Sequence, residues 1–451
     1  MYNNFSKIIT GNINYLFPVA IICIGARSFP IISELYYLAP ILLLLFIIAG
    51  IKEINRNKQL KIFLTFTSTF TLWSLATSFW SSYPLITITR SLYFALISIG
   101  TVIGSHLYLK TKNGLDLNFL LPLNIFIVLL SLISLIFKIP GDAWSGGNGM
   151  GFMGFASHQN TLGALILFTI PASIWEIINK LKEKVQVQVK ANAQVKVQEK
   201  VYNKFNSKFK IQNSKFLFPF FLFTFNFFLL LLTFSRASIL SFLLMAGIIL
   251  YNLINLKFFL ILTSVFCLLT SAFYFFPATH KAAHELFFKN ETLFGDHRYF
   301  MYEDSYKAAL NGGLIGLGYG ISDPNIHNAA NGSHYENGRY IREKGNSTLA
   351  IVEETGIVGL ILFLLPIGYV LSKFKIQNSK LKTEHQYSVS SNQNLESSIH
   401  HNLSILILSF LIAFLFHGQF EAWWEGVGSE MLPLFFTFIG LATVVITTQN
   451  S

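Results

Sequence analysis

Apolar runs near 20 residues long recur from one end of the chain to the other, and they restrict the fold more than any other feature. At about 1.5 Å per residue such a run crosses a hydrocarbon core about 30 Å thick. In lipid each backbone group must be paired within its own segment, so the runs predict helices. Twelve are expected: Ile13 to Pro30, Leu35 to Ile51, Leu60 to Phe79, Leu85 to Leu107, Leu117 to Phe137, Thr161 to Asn179, Phe216 to Phe234, Ala237 to Asn252, Phe258 to Phe276, Thr348 to Leu371, Leu403 to His417 and Met431 to Ile446. A composition 53% hydrophobic and 12% charged is far from that of a soluble domain.

The net charge of +11 does not call for nucleic acid, because the basic residues fall in alternate loops. Lys52, Arg56, Lys58 and Lys61, then Lys110 and Lys112, a Lys-rich tract at 180–215, Lys257, and Lys373 to Lys382 mark the cytoplasmic side. The segment before the last run has Glu421, Glu425 and Glu430 and no Lys or Arg. Both termini are then expected in the cytoplasm. No signal peptide with a small-residue cleavage site is recognised in residues 1–12, so the first run is expected to remain as a helix. Cys23 and Cys267 lie in apolar runs and suit neither a disulfide framework nor a thiolate metal site.

The expected organisation is nine membrane helices in 1–276, a long outer loop at 277–346, and three further helices in 347–451 with a cytoplasmic loop at 372–402. The nonapeptide SKFKIQNSK occurs at Ser207 to Lys215 and again at Ser372 to Lys380, in cytoplasmic segments where it carries no chemistry. The stretch KVQVQVKANAQVKVQEKV lacks the apolar mass of a core and is expected to be disordered or loosely helical. In the outer loop, HRYFMYEDSYKAALNG has the spacing of an amphipathic helix stopped by Gly312 and Gly313. GLGYGIS is expected to be a flexible turn, and NIHNAANGSHYENGRY shows no clear period.

The predicted topology brings several unusual residues to the outer face: Arg90, His158 and Arg236 at run boundaries, and Arg298, Arg339 and Arg342 from the loop. One arginine at a helix centre costs on the order of 2.5 to 3.5 kcal/mol, less near an interface, and snorkelling explains any single case. Several on a face that the charge rule would clear of them point to an anionic ligand, and planar guanidiniums suit phosphate. His158 is either a proton-transfer residue or part of a helix cap with Asn160 and Thr161. No phosphate-cradling glycine loop or serine elbow is present.

Five segments together resemble the O-antigen ligase and polysaccharide polymerase family: FWSSYPLITITRS, GFASHQNTLGAL, FSRAS, HRYFMYEDSYKAALNGGLIGLGYG and REKGNSTLAIVEETGIVGL. Members of that family carry His-Asn, nine residues, then Gly-x-x-Gly; here Asn346, Gly356 and Gly359 keep the spacing, while Gly345 stands where the His would be. Gln159 replaces a family Lys. The resemblance implies an all-α polytopic protein of about 12 transmembrane helices with one long periplasmic loop, a class-C-like glycosyltransferase in the bacterial inner membrane, its family core over 216–371. It implies a glycan donor linked to undecaprenyl pyrophosphate, a glycan or lipid A-core acceptor, surrounding membrane lipid, and neither nucleotide sugar, cofactor nor metal. In the mechanism expected from both lines, Arg236 and Arg298, supported by Arg90 or Arg342, hold the pyrophosphate. Glu353, Glu354 or His158 takes the acceptor proton. A secondary transporter or flippase of lipid-linked glycan is the alternative, since twelve spans suit that architecture too.

The two adjacent glutamates sharpen this expectation. Counting back from Leu371 puts them at the outer interface, where burial would cost little, and adjacent helical positions point about 100° apart. At most one is then expected to face a central site.

Overall fold

The computed structural model describes residues 2–111, 116–140, 143–144, 151–195, 202–253, 296–326, 334–336, 339–341, 344–385, 393–424, 426 and 429–448. The helices are α1 (Tyr2–Gly11), α2 (Ile13–Ala26), α3 (Ala39–Arg56, entered through a 3-10 segment Pro30–Leu38), α4 (Lys58–Ala76), α5 (Pro84–Thr111), α6 (Leu121–Phe137), α7 (Gln159–Val195), α8 (Tyr202–Leu232), α9 (Arg236–Leu253), α10 (Asp296–Gly312), α11 (Ser347–His385), α12 (Gln393–His417) and α13 (Met431–Thr448). A hairpin of β1 (His334–Glu336) and β2 (Arg339–Ile341) pairs antiparallel, with Tyr335 opposite Tyr340.

Among the described residues, six segments are long and apolar enough to cross a bilayer: Pro30–Arg56, Lys58–Phe79, Pro84–Thr111, Asn118–Phe137, Gln159–Lys180 and Ser347–Phe374. Five shorter apolar helices lie at Ile13–Ala26, Leu217–Leu232, Arg236–Asn252, His401–His417 and Met431–Thr447. The chain is a multi-pass membrane protein. The expected run at 258–276 lies outside the described residues, and each other expected run falls on an apolar helix. The Lys-rich tract is helical on both sides of residues 196–201, as the continuation of α7 and the start of α8.

The chain divides into two units, Met1–Leu115 with Arg236–Ser451, and Asp116–Ser235. The second unit contains α6, α7 and α8. Asn124 of α6 ties the three together: its amide donates to the Thr169 carbonyl at 3.0 Å and to Ser173 Oγ at 3.1 Å on α7, and its Oδ1 accepts from Asn226 of α8 at 2.7 Å. Inside a membrane such amide bonds join helices where apolar contact alone discriminates little.

In the first unit, Phe70 of α4 and Phe94 of α5 meet edge to face at 4.9 Å, and Phe363 of α11 completes the group at 5.3 Å from Phe70. Tyr319 stands on this aromatic floor, 6.0 Å from both Phe70 and Phe94, and is fully buried. The start of α11 is set by Asn346, whose Oδ1 accepts from the Leu349 amide at 2.9 Å, as expected of a residue that satisfies an early helical donor.

The expectation of an uninterrupted tenth helix fails at Gly356, where φ is 73° and ψ is 179° inside α11. The break releases two helical bonds, from Ile357 to Glu353 and from Val358 to Glu354. All four released groups are paired by the segment that follows α10. The Glu353 and Glu354 carbonyls accept from Leu317 at 2.9 Å and Gly318 at 3.0 Å, while the Ile357 and Val358 amides donate to Gly313 at 3.0 Å and Leu314 at 3.2 Å. GLGYGIS, expected as a flexible turn, is therefore a bonded insert in a broken helix. Irregular backbone within a membrane fold requires such compensation.

Candidate active site

The insert continues past the break and wraps the two glutamates. The Gly320 amide donates to Glu354 Oε2 at 2.7 Å, and the Asp323 amide donates to Glu353 Oε1 at 2.8 Å. Lys344, three residues before α11, supplies the other half of the site. Its ammonium is 2.5 Å from Glu354 Oε1 and 3.3 Å from Glu353 Oε2. Each of the four carboxylate oxygens thus has a partner, and both residues are buried, Glu353 at 0% and Glu354 at 1% exposure.

Two expectations are corrected here. The glutamates are not alternatives for one face, because a lysine on a flexible four-carbon stem bridges side chains that leave the helix in different directions. Their burial is complete rather than slight. An unpaired buried carboxylate would be very costly, and a shared cation with two backbone donors offsets that cost.

Arg90 of α5 lies across Gly320: a Cβ at that position, where φ is 81°, would run into the arginine side chain. Glycine there allows the guanidinium and the insert to approach each other, and Arg90 and Lys344 are the cations whose charges act on Glu354. Asp323, also buried, accepts from Asn311 of α10 at 2.6 Å and from the Asn325 amide at 2.8 Å. Tyr319 donates its amide to Thr77 Oγ1 at 3.0 Å, and the Trp80 indole donates to the Gly316 carbonyl at 2.9 Å, so the turn after α4 also fixes the insert. Trp73 does the same for the break, donating to the Thr355 carbonyl at 2.8 Å. Gly359 lies where a Cβ would meet Thr355 and the Trp73 indole.

The segment before α11 is joined to the loop after α12. Asn346 donates to the Gln419 carbonyl at 2.9 Å, Tyr302 of α10 donates to that carbonyl at 2.6 Å, and Ser347 Oγ accepts from the Trp423 and Trp424 amides at 2.9 and 3.2 Å. Gly345 directs its amide to Ser305 Oγ at 3.4 Å.

Arg236 opens α9 after a turn in which Phe234 has φ of 50°, a sparsely populated conformation for a bulky residue. One half-turn on, Ser238 Oγ lies 3.2 Å from His417 Nε2, both residues buried. Arg298 is in the first turn of α10, and Arg342 lies outside the described residues. His158 belongs to the second unit, where its Nδ1 accepts from the Asn160 amide at 3.1 Å and caps α7. The structure therefore brings Glu353 and Glu354 together on Lys344, with Arg90 against Gly320 and its charge acting on Glu354. Sequence reasoning missed Lys344, Asp323 and His417; for Lys344 the available signal was its place beside the glycine that precedes a capped helix.

Residues 220–364 match the model of a protein family described as O-antigen ligase. The match takes in Arg236, Arg298, the insert, Lys344, both glutamates and the Asn346, Gly356 and Gly359 motif. No curated protein matches the chain.

Proposed function

We propose that this chain, whose residues 220–364 belong to the O-antigen ligase family, transfers glycan from an undecaprenyl pyrophosphate-linked oligosaccharide to an acceptor hydroxyl at the periplasmic face. It does so in O-antigen or exopolysaccharide polymerisation or ligation, as an inner-membrane enzyme with both termini cytoplasmic, twelve spans and no nucleotide sugar or metal. The observation that carries the reading is the buried pair Glu353 and Glu354, held beside Arg90 inside the matched region.

The donor already contains a good leaving group, so the protein has to hold a diphosphate, place a hydroxyl and take up one proton. The acceptor oxygen attacks the anomeric carbon, the bond from that carbon to the phosphate oxygen breaks, and the electron pair leaves with the lipid diphosphate. Arg236 and Arg298, with Arg90 or Arg342 in support, stabilise the charge that develops there. The hydroxyl proton passes to Glu354 or its neighbour Glu353. The geometry favours these over His158, whose Nδ1 is occupied as a helix cap.

Removing one well-placed donor of this kind costs about 2.7 to 4 kcal/mol of activation free energy. Arg236→Ala, Arg298→Ala and Arg90→Ala should each nearly abolish product in cells while the protein accumulates in the membrane at its normal level. Near-normal product from Arg236→Ala and Arg298→Ala together refutes the assignment. The broken α11 offers one observation in favour of a flippase, since discontinuous helices line transporter sites. Transporters place such breaks in corresponding helices of two halves, and among the described residues α11 alone is broken.

A further inference from the structure

We infer that Lys344 is a donor-sensitive lock on the glutamate pair: it occupies the proton acceptor in the resting enzyme and leaves it for the incoming diphosphate. The inference rests on the glycan-transfer reading and adds an order of events to it. Lys344 takes Glu354 Oε1 and Glu353 Oε2, at 2.5 and 3.3 Å, while main-chain amides donate to the other oxygen of each. The lysine is itself 7% exposed on its side chain, so in this state an acceptor hydroxyl has to displace it to reach Oε1.

The remaining bonds are of a different kind. Gly320 and Asp323 hold the other two oxygens with main-chain amides, and those amides belong to an insert fastened by four backbone bonds across the Gly356 break. If the ammonium departs, each carboxylate keeps one fixed donor and its orientation, while Oε1 of Glu354 gains a free lone pair. The cation suits this task. Lysine is a compact point charge on a flexible stem that can move without unmaking a bidentate fork. Gly345 separates it from the Asn346 cap, so motion of the stem need not disturb α11.

A diphosphate competes for such an ammonium because it carries more charge and more acceptor oxygens than one carboxylate. Arg90, already against Gly320, is placed to stay with the carboxylates or to share the diphosphate. Lys344 then becomes a donor ligand, and the base is exposed only when a donor is bound. That order keeps the base covered until a donor is in place.

Carbodiimide labelling tests the lock directly, because dicyclohexylcarbodiimide adds a protonated carboxyl, taking its proton on nitrogen as the O-acylisourea forms, and a carboxylate paired with a cation is held deprotonated. The full-length purified protein in detergent is treated with the reagent, with and without inorganic pyrophosphate, and modification of Glu354 is read by peptide mass spectrometry. Pyrophosphate should raise the rate at Glu354 by about fivefold or more, the lower range of a ligand-linked transition. Lys344→Gln should label fast whether or not pyrophosphate is present, and Lys344→Arg should label slowly without it. The lock is overturned if pyrophosphate leaves the wild-type rate unchanged, or if Lys344→Gln labels at the wild-type rate. Fast labelling of both variants also overturns it, since any change at 344 would then merely loosen the site. The Lys344→Gln rate without pyrophosphate involves no donor, so it can fail or succeed independently of glycan transfer.

Discussion

Leu314 and Val358 are joined across a broken helix, the Val358 amide donating to the Leu314 carbonyl at 3.2 Å. In a continuous α11 that amide would bond to Glu354 four residues back. The exchange depends on Gly356, whose φ of 73° is costly for other residues and whose Cβ would run into the backbone at Leu314 and Ile315. Gly356→Ala is therefore expected to cost about 1 to 3 kcal/mol in backbone strain alone, with the collision adding to it. Thermal unfolding of the purified protein should show a lower midpoint, and transfer should fall because Gly320 and Asp323 no longer hold the carboxylates. An unchanged midpoint would show that the break does not require glycine.

The two glutamates should not be equivalent. Glu354 has the shorter contact to Lys344 and the guanidinium of Arg90 nearby, whereas Glu353 bonds the amide of Asp323. Glu354→Gln keeps size and one acceptor but cannot take a proton, and positioned proton transfer contributes about 10²- to 10⁴-fold. Its turnover should fall by that range with donor binding retained, while Glu353→Gln should lose less. Measuring turnover and donor affinity separately on both variants checks this ordering, and a larger loss of turnover in Glu353→Gln would exchange the roles.

Glu430, just before α13, should make stability depend on pH. Burial pushes its carboxyl above the usual range, against the opposing charge of Arg27. A carboxyl with a raised pKa in the folded state is held neutral there, while the unfolded chain ionises it at about 4.3. The stability from the neutral form is thus fully present below the unfolded value, declines as pH rises towards the folded one, and stays lost above it. Glu430→Gln should raise the unfolding midpoint at neutral pH relative to wild type and leave it little changed near pH 4. A variant that is less stable at neutral pH would contradict the sign.

The membrane helices were legible in the sequence because a long apolar run needs no tertiary information to be recognised. The helix α10 and its stop at Gly312 and Gly313 were legible too, since helical spacing and a glycine pair are local signals, but its expected apolar residues Phe300, Tyr306 and Leu310 are exposed. The break in α11 was not. Gly356 in an apolar run looks the same whether it admits a neighbouring helix or takes a positive φ, and only its pairing with residues 313–318 decides. The same blindness turned a bonded insert into an expected flexible turn. The hairpin had a signal that passed unused: Asn337 and Gly338 stand between its strands, a dipeptide suited to tight turns. Lys344 was hidden for another reason. In REKGN it is one charge among three, and the contact it makes is set by where the carboxylates face rather than by spacing along the chain.

The central claim is that this chain makes glycosidic bonds with a lipid-linked donor. Purified protein reconstituted in proteoliposomes with an undecaprenyl pyrophosphate-linked oligosaccharide and an acceptor glycan should yield elongated or transferred product together with released undecaprenyl pyrophosphate. The Arg236→Ala and Glu354→Gln proteins should yield little of either. Movement of intact donor across the bilayer with no new glycosidic bond would contradict the account and identify a transporter.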